Sequence, residues 1–357
     1  MAGAGLVDVA RVAGVSVSTA SLALRGGERV APETKARILD AARKLSYVPN
    51  ELGRSMRRGR THTLAIVIPQ TTQRIFSHPF FTEVMGGVTD VAVNAGYTVL
   101  LSVSSQDDGD DAYTRLLESR RADGVILMAA PLEDRNALTL AASGLPVVFL
   151  GSWSHGPLVH SVCIDERAAA KTLVVHLLDQ GYQRIAYLAG QQGHGPAIER
   201  EQGYRDALAE AGRAVNPLLV VRGDFSPESG RAAMLQLLER GTPPDAVFAA
   251  SDEMAIGALQ VLNERGLRVP FDVALAGFDD IALATMTSPP LTTIHYPMRE
   301  LGSAAARLLL EEISGSAAGP TRIVFPTPLI VRGSSIRPPD PARQAPTASE
   351  QRGRKEV

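Results

Sequence analysis

The stretch LVDVARVAGVSVSTASLAL, residues 6–24, carries two short helical periodicities broken by one glycine. Leu6, Val9, Ala10 and Ala13 recur at the spacing of one helical face, and Gly14 then permits a turn that a branched residue resists. Ser16 follows as a cap whose hydroxyl reaches the amide near Thr19. It predicts a second helix from Val17 to about Leu24, ended by Gly26 and Gly27. Helix, tight turn and second helix together make a helix-turn-helix. A third helix opens with Pro32 in its first turn and carries Ile38, Leu39, Ala42 and Leu45 on one face, with Ala31 a poor cap before it. After Tyr47 and Pro49, Asn50 can cap a basic stretch, ELGRSMRRGR (51–60), which has too few apolar positions to fold alone.

Charge separates this module from the rest. Residues 1–60 hold eleven Lys and Arg against five Asp and Glu, or +6. The remainder holds 25 against 33, or −8, which returns the net −2 of the 357-residue chain. A small domain so charged is an electrostatic footprint for a polyanion. The length predicts two or three folding units, and 45% hydrophobic with 21% charged residues is ordinary for globular protein. The start, MAGAGLVDVAR, has no basic run and meets Asp8 and Arg11 too early for a signal peptide, and no window is apolar enough to span a membrane, so a cytoplasmic location is expected. The single cysteine, Cys163, excludes an internal disulfide and a cysteine-rich zinc site, and in VCID it reads as a small buried residue.

Beyond Thr61 short aliphatic runs alternate with helical patterns, which implies parallel sheets with crossover helices. The strand candidates are LAIVI (64–68), YTVLLS (97–102), GVILM (124–128), PVVFL (146–150), RIAYLA (184–189), PLLVV (217–221), AVFAA (246–250) and VALAGF (273–278). Helices are expected over 80–94, 168–178, 198–211 and 253–264. The strands divide evenly around residue 162, predicting two doubly wound lobes with a ligand cleft at the carboxyl ends of the strands. The tail, 336–357, is rich in Pro, Arg, Ser and Gln and reads as disordered.

Enzyme chemistry finds little footing. GQQGHG (190–195) follows a strand and precedes a helix, but no Lys-Ser or Lys-Thr completes a phosphate loop and the dinucleotide spacing is absent. The seven histidines form no HExxH, there is no GxSxG, and His155 and His160 read better as a solvated loop pair than as ligands. No metal and no cofactor is expected. A plain solute-binding protein is the other rival, against which the attached basic module argues.

The chain resembles the lactose-repressor and galactose-repressor family of bacterial transcription regulators. The resemblance rests on residues 6–24, LSYVPN (45–50), Glu199-Arg200 ahead of Gly203-Tyr204, SDEMAIGAL (251–259), AGFDD (276–280) and SPPLTTI (288–294), which stand in the family's order. It implies an all-α helix-turn-helix headpiece (1–49) and a hinge helix (50–61). After these comes an α/β core (62–335) of two doubly wound parallel-sheet lobes resembling periplasmic sugar-binding proteins. Lobe 1 would comprise about 62–161 and 292–321, lobe 2 about 162–291 and 322–335, with chain crossings near 162, 291 and 322. A homodimer on a double-stranded DNA operator, with a small-molecule effector of carbohydrate type and no membrane partner, follows from the same resemblance.

Residue roles carry over position by position. Val17 and Ser18 match base-reading positions, where valine offers a methyl contact and serine one hydrogen bond. Leu22 stands where arginine is common, and Arg25 is a shifted substitute. Ser16, Thr19, Ser21, Thr34 and Tyr47 read as phosphate contacts. In the hinge, Asn50 is the cap, Met56 takes the place of the leucine wedge, and Arg54 and Arg57 supply phosphate charge, while Arg58 and Arg60 also fit a solvated basic linker. Gly53, where alanine is usual, weakens that helix by roughly 1 kcal/mol. For the effector, Arg200 matches a clamping arginine, Asp279 a hydroxyl acceptor, Asp252 a residue at the cleft edge and Phe225 a packing ring. Phe80 forms the opposite wall, for which core packing is the competing role as it is for Phe81, and Gln70 and Tyr296 complete the ring. The segment from Gln70 to His78 is longer than usual for a first-lobe loop. Whether an effector releases or tightens the grip on DNA stays open.

Overall fold

The structure, a computed structural model, describes residues 4–24, 30–47, 60–104, 112–113, 116–117, 121–131, 134–151 and 159–337. The chain divides into two compact units, Met1–Thr61 and His62–Val357.

In the first unit α1 (Leu6–Ala13), α2 (Val17–Leu24) and α3 (Pro32–Lys44) surround a core of Val9, Ala10, Ala13, Ala20, Ala23, Ile38, Ala41 and Ala42. Six of these eight are alanine, which lets three short helices approach closely. α1 and α2 meet at 101°, within the range of a helix-turn-helix. The turn is made by Gly14 at φ 64°, with the Val15 amide bonding back to the Ala10 carbonyl at 3.0 Å, a Schellman-type closure. From α3, Arg37 donates to the Ala13 carbonyl at 3.1 Å, capping α1 across the fold. Of the apolar face expected on α3, Leu39 is instead 42% exposed and Ala41 is buried. The buried stripe of α3 is Ile38, Ala41 and Ala42, with Ile38 the one large side chain it adds to the core.

The second unit opens with β1 (Thr63–Thr71), α4 (Thr72–Ser77), α5 (Pro79–Asn94), β2 (Thr98–Ser104), β3 (Gly124–Met128), α6 (Arg135–Ala142), β4 (Val147–Leu150) and β5 (His160–Ile164). It continues through α7 (Glu166–Asp179), β6 (Ile185–Ala189), α8 (Gly195–Glu210), β7 (Val220–Arg222), α9 (Pro227–Glu239), β8 (Ala246–Ala249), α10 (Asp252–Glu264) and β9 (Ala274–Ala276). It ends with β10 (Thr293–Ile294), α11 (Met298–Ser314), β11 (Arg322–Phe325) and β12 (Leu329–Ile330). One sheet has six strands in the order β11-β5-β4-β3-β1-β2, and the other four in the order β7-β6-β8-β9. Every pairing within these two sheets is parallel. All five residues of β3 are buried, as a strand covered by helices on both faces requires. In β1 the alternation is visible: Leu64, Ile66 and Ile68 join one core cluster, Ala65 and Val67 the cluster on the opposite face.

The lobe boundaries differ from those the resemblance implied. Val162, Cys163 and Ile164 belong to β5, in the first sheet, and Arg322–Phe325 pairs parallel with them rather than with the second lobe. Only β12 returns toward the second lobe, antiparallel to β10, whose neighbours bridge to Ala276 and Asp279. The crossings therefore fall after Ile164, after Ile294 and after Phe325. A two- to five-residue segment has no sheet preference of its own, and its partner alone assigns it. The first half of PLLVV forms a 3-10 turn, Pro217–Leu219, leaving Val220–Arg222 as the strand. The segment after Gln70 is largely the helix α4 rather than a loop. The tail beyond Arg337 lies outside the described residues.

Candidate functional site

Both sheets point the carboxyl ends of their strands at a common cavity of about 120 Å³. From the first lobe it is lined by Gln70 at the end of β1, Arg74 and His78 around α4, Phe80 and Phe81 in the first turn of α5, and Phe149 to Gly151 at the end of β4. Glu166, His194, Arg200, Phe225 and Asp279 come from the second lobe, and Tyr296 from the segment crossing back. Three lining residues, Ala129, Phe225 and Asp279, hold positive φ of 55°, 74° and 118° without being glycine, strain of the kind that concentrates at binding sites.

Arg200 is the hub. It is 4% exposed. Its Nε donates to Glu166 at 2.7 Å, and Nη1 to the Ala250 carbonyl at 2.5 Å and to Asp279 at 3.5 Å. The guanidinium lies 3.6 Å over the Phe278 ring, a desolvated cation–π contact. Burial works against its charge, but Glu166 and Asp279 outweigh burial and hold it protonated. Burial pushes the Asp279 carboxyl well above its ordinary value, with Arg200 opposing. Phe80 meets Tyr296 edge-on at 5.5 Å and Phe81 at 5.3 Å, so the aromatic wall is a packed cluster as well as a lining.

Two polar contacts tie the lobes across the cavity. Arg74 donates to the Asp224 carbonyl at 2.8 Å, and His78 Nε2 lies 3.1 Å from Glu253. His78 Nδ1 caps α5 by accepting from the Phe80 amide, so the neutral ring keeps its proton on Nε2 and donates it to Glu253. Burial, then Arg74 and Arg200, brings His78 down to about 4, and burial with Arg74 does the same for His194. Burial and the nearby Asp279 raise Glu253 to about 7.

Six of the seven expected effector residues thus converge: Gln70, Phe80, Arg200, Phe225, Asp279 and Tyr296. Asp252 does not. It is fully buried behind the cavity, accepting from Thr293 Oγ1 at 2.6 Å and from the Ile281 amide at 3.0 Å. Burial raises it to about 7, against those two hydrogen bonds, and it locks the crossing strand rather than facing ligand. Glu166, Arg74, His78 and His194 were not singled out from sequence. Asp165-Glu166 at a strand-to-helix junction was the available signal for Glu166. No group of three or more His, Cys, Asp or Glu among the described residues could hold a metal ion. His155 lies outside the described residues, and His160 is buried against Glu312 and the Thr321 amide.

In the first unit the outer face of α2 presents Val17 and Leu22, 43% and 37% exposed, beside the exposed Ser18. Ala20 and Ala23 hold the inner face. The Ser16 hydroxyl accepts from the Thr19 amide at 3.1 Å and lies 2.8 Å from its hydroxyl, so both side chains serve the cap. Ser21, Thr34 and Tyr47 are half-buried. Arg25, Asn50, Arg54, Met56 and Arg57 lie outside the described residues.

Residues 5–50 match the description of bacterial regulatory proteins of the lacI family, and residues 174–335 that of a periplasmic binding protein-like domain. The chain is 37% identical over 328 residues to the HTH-type transcriptional regulator CelR of Thermobifida fusca, covering 91% of this chain and 96% of the relative. It is 35% identical over 333 residues to the HTH-type transcriptional repressor CytR of Escherichia coli strain K12, covering 93% and 96%. Among solved structures, a CelR–cellobiose complex superposes with a TM-score of 0.72 at 36% identity, over 93% of this chain and 99% of that one. The Lac repressor dimer bound to operator and the anti-inducer ONPF superposes with a TM-score of 0.83 at 28% identity, over 94% and 100%.

Proposed function

Since the chain belongs to the lacI family of bacterial regulatory proteins and is a DNA-binding transcriptional regulator rather than an enzyme, we propose that it is a repressor. In this reading it grips a palindromic operator as a homodimer in the cytoplasm, and a small carbohydrate in the interlobe cleft sets the strength of that grip. One observation carries the reading. A basic helix-turn-helix with an exposed reading face shares a chain with an interlobe cavity built from Arg200, Asp279 and aromatic rings. The relatives agree in kind: one was solved with cellobiose, another as a dimer on operator.

α2 enters the major groove with Val17 against a thymine methyl, Ser18 on a base edge and Leu22 further along the same face. Thr19, Ser21, Thr34 and Tyr47, with the cap at Ser16, set register on the phosphates. In the hinge Met56 is the minor-groove wedge at the centre of the palindrome, Asn50 its cap and Arg54 and Arg57 the phosphate charge, while Arg25 is a shifted substitute for the base-reading arginine that Leu22 replaces. In the cleft, hydroxyls bond Arg200, Asp279 and Gln70 while the apolar face of a sugar ring packs on Phe80, Phe225 and Tyr296. A ligand preferring one lobe arrangement shifts operator affinity by its differential affinity for the two states.

Fluorescence anisotropy of the full-length chain on DNA upstream of its own gene tests this. Binding is expected to be sequence-specific, with log K falling against log salt at a slope of about −0.9 per phosphate neutralised. Equal affinity for unrelated DNA of the same length would refute the repressor reading in favour of solute binding alone.

A further inference from the structure

We propose that Glu166 determines the ligand class of the cleft: by occupying Arg200 it selects uncharged, hydroxyl-rich ligands and rejects carboxylates and phosphates. This rests on the cleft being the effector site.

The geometry around the guanidinium carries the inference. Glu166, the first residue of α7, is 2% exposed and takes the Nε proton of Arg200 at 2.7 Å. Nη1 serves the Ala250 carbonyl and Asp279, and Phe278 covers one face of the plane. Among the described residues Nη2 alone has no acceptor, so the ligand meets one donor group flanked by two carboxyl side chains. A hydroxyl suits that place because it accepts from Nη2 and donates to a neighbouring carboxylate. The ionised oxygens of a ligand carboxylate or phosphate only accept, and they arrive beside the Glu166 carboxylate where water cannot screen the repulsion.

Besides Arg200, the one other arginine lining the cavity among the described residues is Arg74. One of its donors is spent on the Asp224 carbonyl, and burial works against its charge while Asp224 and Glu253 support it. The two lining histidines, His78 and His194, are both held near 4 by burial, so neither adds positive charge at neutral pH. An anion-binding cleft needs an arginine whose fork is open to the ligand. Here Glu166 has closed that fork from the protein side.

The test uses the full-length chain, with inorganic sulfate and matched sugar pairs as probes. Pairs are glucose with glucuronate, and cellobiose with its aldonic acid. Thermal unfolding is followed for wild type, Glu166→Gln and the double variant Glu166→Gln/Arg200→Met, with chloride at equal ionic strength as reference. Wild type is expected to ignore sulfate and to bind the neutral member of a pair more tightly than the acid. Glu166→Gln is expected to unfold at lower temperature, to be restored saturably by sulfate, and to shift the neutral-to-acid affinity ratio at least tenfold toward the acid. The double variant is expected to lose the sulfate response.

A saturable sulfate response in wild type, a wild-type preference for the acid, or a Glu166→Gln variant with no sulfate gain overturns the proposal. So does a gain that survives in the double variant. If Glu166→Gln does not fold, the wild-type preference between neutral and acid members decides. Wild type that binds no carbohydrate while Glu166→Gln gains sulfate removes the sugar reading and leaves this inference standing. Wild type that binds a neutral sugar with no sulfate gain in the variant does the reverse.

Discussion

Arg200 concentrates the energetics of the cleft in one side chain. With Arg200→Met, Glu166 and Asp279 remain buried without their cation, and breaking a buried pair from one side costs about 3–5 kcal/mol. The expected result is a lower denaturation midpoint and loss of effector response, with operator binding retained at temperatures where the variant is folded. A variant that still answers effector normally would remove Arg200 from the site. His78 gives a pH signature. Its folded-state value near 4 lies below the ordinary 6.5, so between those limits the unfolded chain binds a proton that the folded chain refuses. The stability contributed is complete above pH 6.5 and is lost as pH falls toward 4. Glu253, raised to about 7 from 4.5, runs the other way: its contribution is complete below 4.5 and lost as pH rises through 7. His78→Asn keeps an acceptor for the Phe80 amide and is expected to flatten the fall in melting temperature between pH 6.5 and pH 4. An unchanged slope would mean that His78 is not held neutral.

At the scale of elements, short helices depend on caps and long ones on close crossings. α2 has eight residues, too few to persist without its ends satisfied. Ser16→Ala is expected to cost about 1 kcal/mol, read as a lower melting temperature of the headpiece and weaker operator binding at fixed salt. In the second lobe α9 and α10 cross where a Cβ on Gly257 would overlap the Pro227 carbonyl oxygen, and one on Gly230 the Met254 carbonyl oxygen. Gly257→Ala therefore forces the helices apart, at about 1–3 kcal/mol for overpacking. The urea midpoint measures it, and no shift would show that the pair can slide without penalty. Six of the eight candidate strands, β1, β3, β4, β6, β8 and β9, were readable because segments buried on both faces leave a continuous apolar signal, while the edge strands β2 and β7 are only partly covered. β5, β10, β11 and β12 were not, since β5 opens on the polar pair His160-Ser161 and the others are only two to four residues long, such as Thr293–Ile294 or Leu329–Ile330, too short to carry a periodicity.

For the whole effector-binding unit, Arg74 to the Asp224 carbonyl and His78 to Glu253 are polar ties between the lobes. Arg74→Ala is expected to widen the unliganded cleft, seen as a longer distance between spin labels placed one on each lobe, and to weaken apparent effector affinity by lowering the closed fraction. Equal distances in wild type and variant would show that the apolar core alone holds closure. The sequence by itself determined the headpiece, with its turn at Gly14 and cap at Ser16, the alternating αβ rhythm, and the charge asymmetry between residues 1–60 and the rest. These are local properties, written in spacing and composition over a few residues. Only the tertiary structure decided that Arg322–Phe325 belongs to the first sheet, that Asp252 turns away from the cleft toward Thr293, and that Glu166 stands against Arg200 across 34 positions of chain. Each of those depends on a partner distant in sequence, and neither pairing register nor the occupancy of a guanidinium can be read from one strand of letters alone.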